Sequence, residues 1–225
     1  MQACLPDISR SQISALIKAG SITVNGLQVK PGYRVKSGDN VDGLINQLQS
    51  DVVPVAEPIE FDILHEDSSI IVISKPPGLV VHPGSGNLTG TLVNGLIYHF
   101  RGITEVGDQL RPGIVHRLDK DTSGVMVVAR NSLAHQRLVQ DFKDRKIEKR
   151  YLALVHGIPE NQNGRIIAPI GRHPINRQKM AVREKSGKYA VTNWLIRSKY
   201  RDHCLLEVHI ETGRTHQIRV HLAHI

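Results

Sequence analysis

The stretch HRLDKDTSG, His116 to Gly124, sets Asp119 among ionisable and hydroxylated neighbours just ahead of the apolar run GVMVVAR. A carboxylate in that setting supports two readings. In one, Asp119 joins Asp121, Thr122 and Ser123 in turning the chain into a strand. In the other it is a nucleophile or general base, held ionised by a nearby cation. Arg117 is one source of that cation, and ETGRTHQIR, Glu211 to Arg219, supplies another. There Gly213 is expected to end a strand and Arg214 to open a helix, its guanidinium either aimed into a cleft or solvated on the surface. Tyr151 follows Lys149 and Arg150 in a chain only 4% aromatic. Such a tyrosine either stacks on a nucleic-acid base or is an ordinary half-buried strand residue.

Other chemistries are poorly served. HPGSGNLTGTL places Gly84, Gly86 and Gly90 one residue too far apart for the dinucleotide fingerprint, and no Walker lysine follows. A glycine-rich turn before a helix is expected there, not an NAD or ATP site. His216, His221 and His224 share a segment, but without H-E-x-x-H spacing or an accompanying carboxylate, so no zinc site is expected. Cys4 and Cys204 are the only cysteines, too few for a disulfide scaffold. Any chemistry is therefore expected to run on a carboxylate without a cofactor or metal.

The elements that must position these residues follow from periodicity. SQISALIKAG repeats Ile13, Leu16 and Ile17 at helical spacing, with Gly20 as the stop, and SITVNGLQV reads as two strands joined by a tight Asn25-Gly26 turn. Lys30, Arg34 and Lys36 fall on or beside a turn-rich strand. The composition of NQLQSDVVPVAEP marks a linker. Beyond it FDILHED, IIVISK, GVMVVAR, KRYLALVHG, VTNWLIRSKY and HCLLEVHIE read as strands. GTLVNGLIYHF reads as a helix, as does NSLAHQRLVQDFKDR behind its Asn131 cap. The last segment places Ile218, Leu222 and Ile225 on one helical stripe. Hairpin-like connections favour an α+β fold with a mostly antiparallel sheet.

Lys and Arg outnumber Asp and Glu by 29 to 21, a net charge of +8, so a polyanionic partner is expected. Seven basic residues between Arg165 and Lys188 face Glu184 alone, which suits either a solvated loop or a phosphate-binding surface. The first residues lack a secretory h-region and no run is long enough to span a membrane, so a cytoplasmic protein is expected. No extended heptad appears, so a monomer is expected.

In order along the chain, HRLDKDTSG, GVMVVARN, KRYLALVHG, PIGRHPINRQKMAV and ETGRTHQIRVHLAHI resemble the RluA/RluD-type pseudouridine synthases. SRSQISALIKAGSITVNG with VKPGYRVKSGD resembles the small RNA-binding module named after ribosomal protein S-four. The resemblance implies a module over 1–46, a linker over 47–58 and a catalytic domain over 59–225. It also implies that the domain continues past Ile225 and the module begins before Met1. The implied activity is isomerisation of uridine to pseudouridine in RNA, with large-subunit ribosomal RNA as first substrate; tRNA and a non-catalytic RNA-binding or ribosome-assembly role are the alternatives. By the motif match Asp119 is the catalytic aspartate and Arg214 its partner. Tyr151 stacks on the base, Arg117 lies near the flipped nucleotide and Ile218 walls the pocket. Arg10, Lys18, Lys30, Arg34, Lys36, Arg172, Arg177 and Lys179 are then the RNA-backbone candidates.

Overall fold

A computed structural model describes residues 10–43, 53–84, 86–176 and 178–225. These divide into two compact units between Pro54 and Val55.

In the first unit, helix α1 (Arg10–Lys18) buries Ile13, Leu16 and Ile17 against Ile22. Gly20, at φ 77°, ends it in the left-handed conformation that a side chain would resist. Strands β1 (Ile22–Val24) and β2 (Leu27–Gln28) pair around Asn25 and Gly26, both at positive φ, as a tight hairpin requires. Strand β3 (Val41–Gly43) pairs on the other side of β1. Lys30, Arg34 and Lys36 lie beside two turns between β2 and β3 and not on a strand. The Asp39 carboxylate fixes those turns by accepting from Asn25 Nδ2, the Tyr33 hydroxyl and the Lys36 backbone N–H.

The second unit is built on two antiparallel sheets. Strands β4 (Asp62–Glu66), β5 (Ile70–Lys75) and β6 (Gly124–Ala129) form one, with β5 in the middle. Helix α2 (Leu92–His99) contributes Leu92 and Leu96 to a core with Ile71, Ile73, Leu118, Met126 and Val128. The buried Asn94 sets the start of α2: its Oδ1 accepts from the Thr91 N–H and hydroxyl, and its Nδ2 donates to the Val55 carbonyl. Residues 55–58, expected as linker, thus fall within the second unit. Helix α3 (Ser132–Lys143) follows β6, capped by Asn131 accepting from the Ala134 N–H.

The other sheet has the order β7-β12-β11-β8: β7 (Arg150–His156), β8 (Asn163–Ile167), β11 (Val191–Lys199) and β12 (His203–Ile210). Its inner face gathers Ile166, Trp194, Ile196, Cys204, Leu206 and Val208 into a second core. At Gly164 a Cβ would sit 2.6 Å from the Trp194 ring, so the indole packs on bare backbone. Strands β9 (Ile170–Arg172) and β10 (Met180–Val182) form a separate hairpin. The basic stretch, read from sequence as a solvated loop or a phosphate-binding surface, carries parts of three short strands. Helix α4 (Gln217–Leu222) is the last element of the described residues. It starts after Arg214, and Ile225 lies beyond it, exposed, so the expected stripe shrinks to Ile218 and Leu222 on the second core.

Candidate active site

Asp119 stands on the loop entering β6, and three anchors hold that loop. Leu118 is buried in the first core. His116, ring-stacked on Phe142 at 4.8 Å, accepts the Val127 backbone N–H at Nε2, 3.1 Å away. Burial, helped by the Lys149 charge, pushes its pKa down to about 4, so the ring is neutral and free to accept at neutral pH. The third anchor is Lys75. Inward parity along β5 carries Ile71 and Ile73 into the core and Lys75 with them, fully buried. An ammonium there must spend every proton, and Nζ donates to the carbonyls of Pro76, Leu79 and Lys120 at 2.8, 2.8 and 2.9 Å. Burial lowers its pKa while the charges of Asp121 and Asp119 oppose the shift. The last of those bonds grips the residue next to Asp119.

A neutral circuit holds the segment from Glu211 to Arg219. Gln217, 3% exposed, accepts at Oε1 from the Thr212 hydroxyl and the Arg214 N–H, and donates through Nε2 to the Val191 carbonyl and the Thr192 hydroxyl. Nε2 of the buried His221 donates to the Ala168 carbonyl, so its Nδ1 accepts from Thr192. Both ring nitrogens of His221 are thereby engaged. His216 adopts the left-handed conformation, φ 54°, strained for a branchless but non-glycine residue. Its Nε2 lies 4.0 Å from Asp119 Oδ1.

The two segments meet at a cleft of about 530 Å³, lined by Asp119, Arg117, Tyr151, Arg214, His216 and Ile218 among others. All five catalytic and substrate-binding candidates read from sequence therefore converge. Tyr151, on β7, packs against both cores, and burial, with the Asp119 charge second, raises its pKa. One expectation fails: Arg214 and Asp119 form no ion pair in this structure. The Arg214 backbone N–H is held by Gln217, and its side-chain Nε donates to the Tyr189 carbonyl at 3.0 Å. Among the described residues, the basic group recorded beside the Asp119 carboxylate is the His216 ring, 4.0 Å away.

Lys143 and Lys149 also line the cleft and add positive charge to it. Burial, then the Arg145 charge, lowers the pKa of Lys149. Of the RNA-backbone candidates, Lys18, Lys30, Arg34 and Lys36 are exposed on the first unit, and Arg172 and Lys179 on the second. Arg10 is the first residue of α1, and Arg177 lies outside the described residues. Sequence reasoning missed Lys75, His116 and Gln217. The inward parity of IIVISK was the available signal for Lys75; nothing in sequence separates Gln217 from a surface glutamine.

The RNA pseudouridylate synthase family model matches residues 69–224, and the S4 domain model residues 4–41. An RNA pseudouridine synthase of Aquifex aeolicus is 48% identical over 98% of this chain and 70% of its own length. The ribosomal large subunit pseudouridine synthase D of Neisseria meningitidis serogroup B is 44% identical over 97% of this chain and 57% of its own. Among solved structures, human RNA pseudouridylate synthase domain containing 1 superposes with a TM-score of 0.62 at 25% identity, covering 75% of this chain and 66% of that one. The chain belongs to the RNA pseudouridylate synthase family and carries an S4 domain ahead of the synthase domain. It spans between about half and three quarters of the length of these relatives.

Among the described residues no helix is long and apolar enough to cross a membrane.

Proposed function

We propose that this chain converts uridine to pseudouridine in large-subunit ribosomal RNA, with Asp119 as the catalytic carboxylate. The supporting observation is the convergence of Asp119, Tyr151 and Arg214 on one cleft, from segments far apart in sequence. The reaction breaks the bond between ribose and a ring nitrogen and forms one to a ring carbon; that carbon loses a proton and the nitrogen gains one. It is redox-neutral, so side chains suffice. A cleft of about 530 Å³ suits a single nucleotide and not a duplex, so the target uridine must leave its stack first. Tyr151 offers a face on which the extruded base stacks, at about 1–3 kcal/mol, and Ile218 closes the apolar side. Arg117 and Arg214 meet the nucleotide's polar edge or phosphate. Lys18, Lys30, Arg34, Lys36, Arg172, Arg177 and Lys179, with Arg10, contact the RNA backbone. Under this reading the protein acts as a monomer in the cytoplasm, and the ribosomal substrate is suggested by the relatives named large subunit pseudouridine synthase D.

The test is pseudouridine mapping on large-subunit rRNA by carbodiimide labelling and primer extension, with the parent and Asp119→Asn. New stops with the parent alone are expected, with RNA binding retained by the variant. Undiminished turnover by Asp119→Asn refutes the assignment of the carboxylate. Binding without stops in either protein moves the substrate to tRNA, and then to a non-catalytic role.

A further inference from the structure

Arg117 is an exposed side chain on the rim of the cleft, yet it is not left to wander. Its Nη1 donates to Nε2 of His82, 3.2 Å away, across 35 positions of sequence. We propose that His82 is the positioning residue for Arg117: a neutral imidazole, locked in one tautomer, that fixes where the guanidinium points over the Asp119 cleft. This rests on the RNA-isomerase reading, which assigns Arg117 its contact with the nucleotide.

The chemistry of the contact dictates the tautomer. A guanidinium has only donors, so Nε2 must present a lone pair. The other nitrogen, Nδ1, lies 2.9 Å from the Pro83 carbonyl, which can only accept, so Nδ1 carries the proton. The ring is mounted on rigid structure. Val81, beside it, is buried in the first core, and the Val80 and Val81 carbonyls accept the Leu92 and Val93 N–H groups at the start of α2. The charged groups facing the ring are Arg117 and Arg111; burial first, and then these two cations against the opposing Pro83 bond, disfavour protonation. A protonated ring would turn an acceptor into a donor aimed at a cation. A long arginine freed of its acceptor regains rotamer entropy, which binding must then remove.

Nitrogen-15 spectra of the imidazoles in the full chain test the contact without reference to activity. The expected result is a single neutral tautomer with Nδ1 protonated, and an Nε2 resonance that moves in Arg117→Ala. The opposite tautomer, or an Nε2 resonance indifferent to Arg117→Ala, overturns the proposal. The role is tested with His82→Leu and His82→Gln, whose amide oxygen can stand where Nε2 does. Loss of one hydrogen bond to a charged group predicts a fall of about tenfold in kcat/KM on RNA for the leucine variant. Substantial recovery is expected in the glutamine variant, together with loss of any acid limb due to His82. Matched thermal unfolding of both variants separates this from misfolding. Equal kcat/KM in parent and His82→Leu across pH overturns the positioning role. Absence of pseudouridine with every protein counts against the isomerase reading alone; RNA affinity at matched salt then decides, and unchanged affinity in His82→Leu overturns the role of His82.

Discussion

The two segments that build the cleft are held in opposite ways. The Asp119 loop hangs on a buried ammonium and a neutral imidazole, Lys75 and His116, each bonded to backbone. The Arg214 segment hangs on uncharged side chains, Thr212, Gln217, Thr192 and His221, closed into a circuit with Val191 and Ala168. A buried cation is costly to strand, so it tolerates only the geometry that satisfies it. A neutral circuit divides the same task among many weaker bonds. Asp119 thus rides on the more condition-sensitive of the two mounts, and Arg214 on the more forgiving one.

Breaking each mount should expose that difference. Lys75→Met keeps the volume of the stem but leaves three carbonyls without a donor, and is expected to lower unfolding free energy by about 3–4 kcal/mol in urea titrations, with activity lost in proportion to loop disorder. A loss below about 1 kcal/mol would mean that the charge is dispensable to the loop. Gln217→Leu removes four bonds from the neutral circuit. The expected cost is about 2–3 kcal/mol, with KM for RNA rising more than kcat falls, because the Arg214 N–H loses its acceptor.

Acid should load both mounts, and a His116 variant isolates the share that falls on the Asp119 loop. The folded-state pKa of His116 is depressed to about 4, below the unfolded value of 6.5, so the folded chain binds fewer protons between those values. Its contribution is therefore intact above about pH 6.5 and is lost as pH falls toward 4, about 2 kcal/mol of it by pH 5. Urea titrations at pH 7 and pH 5 should show the parent losing more stability than His116→Gln, and equal losses would remove His116 from the account. His221 shifts in the same direction through burial, so part of the acid loss should survive in that variant. The smallest effect belongs to the surface pair of Arg165 with Glu211, at 3.0 Å and half exposed. Arg165→Met should change stability by less than about 0.5 kcal/mol, as measured by the same titration.

Much of this arrangement was legible beforehand. The Asn25-Gly26 hairpin, the alternating strands β5, β11 and β12, and the helices α1, α2 and α3 each follow from period and punctuation. Asp119, Tyr151 and Arg214 were legible as a set only through the family resemblance, since residue chemistry alone favours Asp119 as a turn residue. Strands β8, β9 and β10 escaped because short pairings within a charged, glycine-dotted stretch carry little hydrophobic signal. The start of α4 was misplaced because Gln217 captures the Arg214 N–H and His216 turns left-handed, delaying the helix past its apparent first residue. The bond from Arg214 Nε to the Tyr189 carbonyl joins residues 25 positions apart, a long-range partner that no local pattern announces.

Trp194, seated on the bare backbone of Gly164, is the only tryptophan in the chain and belongs to the second core alone. Tryptophan emission, excited selectively over the five tyrosines, is therefore a one-sided reporter: it senses loosening of the sheet behind Ile218 and Tyr151 and is blind to the Lys75 core and the S4 domain. Far-ultraviolet dichroism sees all three. Noncoincident melting curves from the two signals would time the order in which the parts of this molecule come apart.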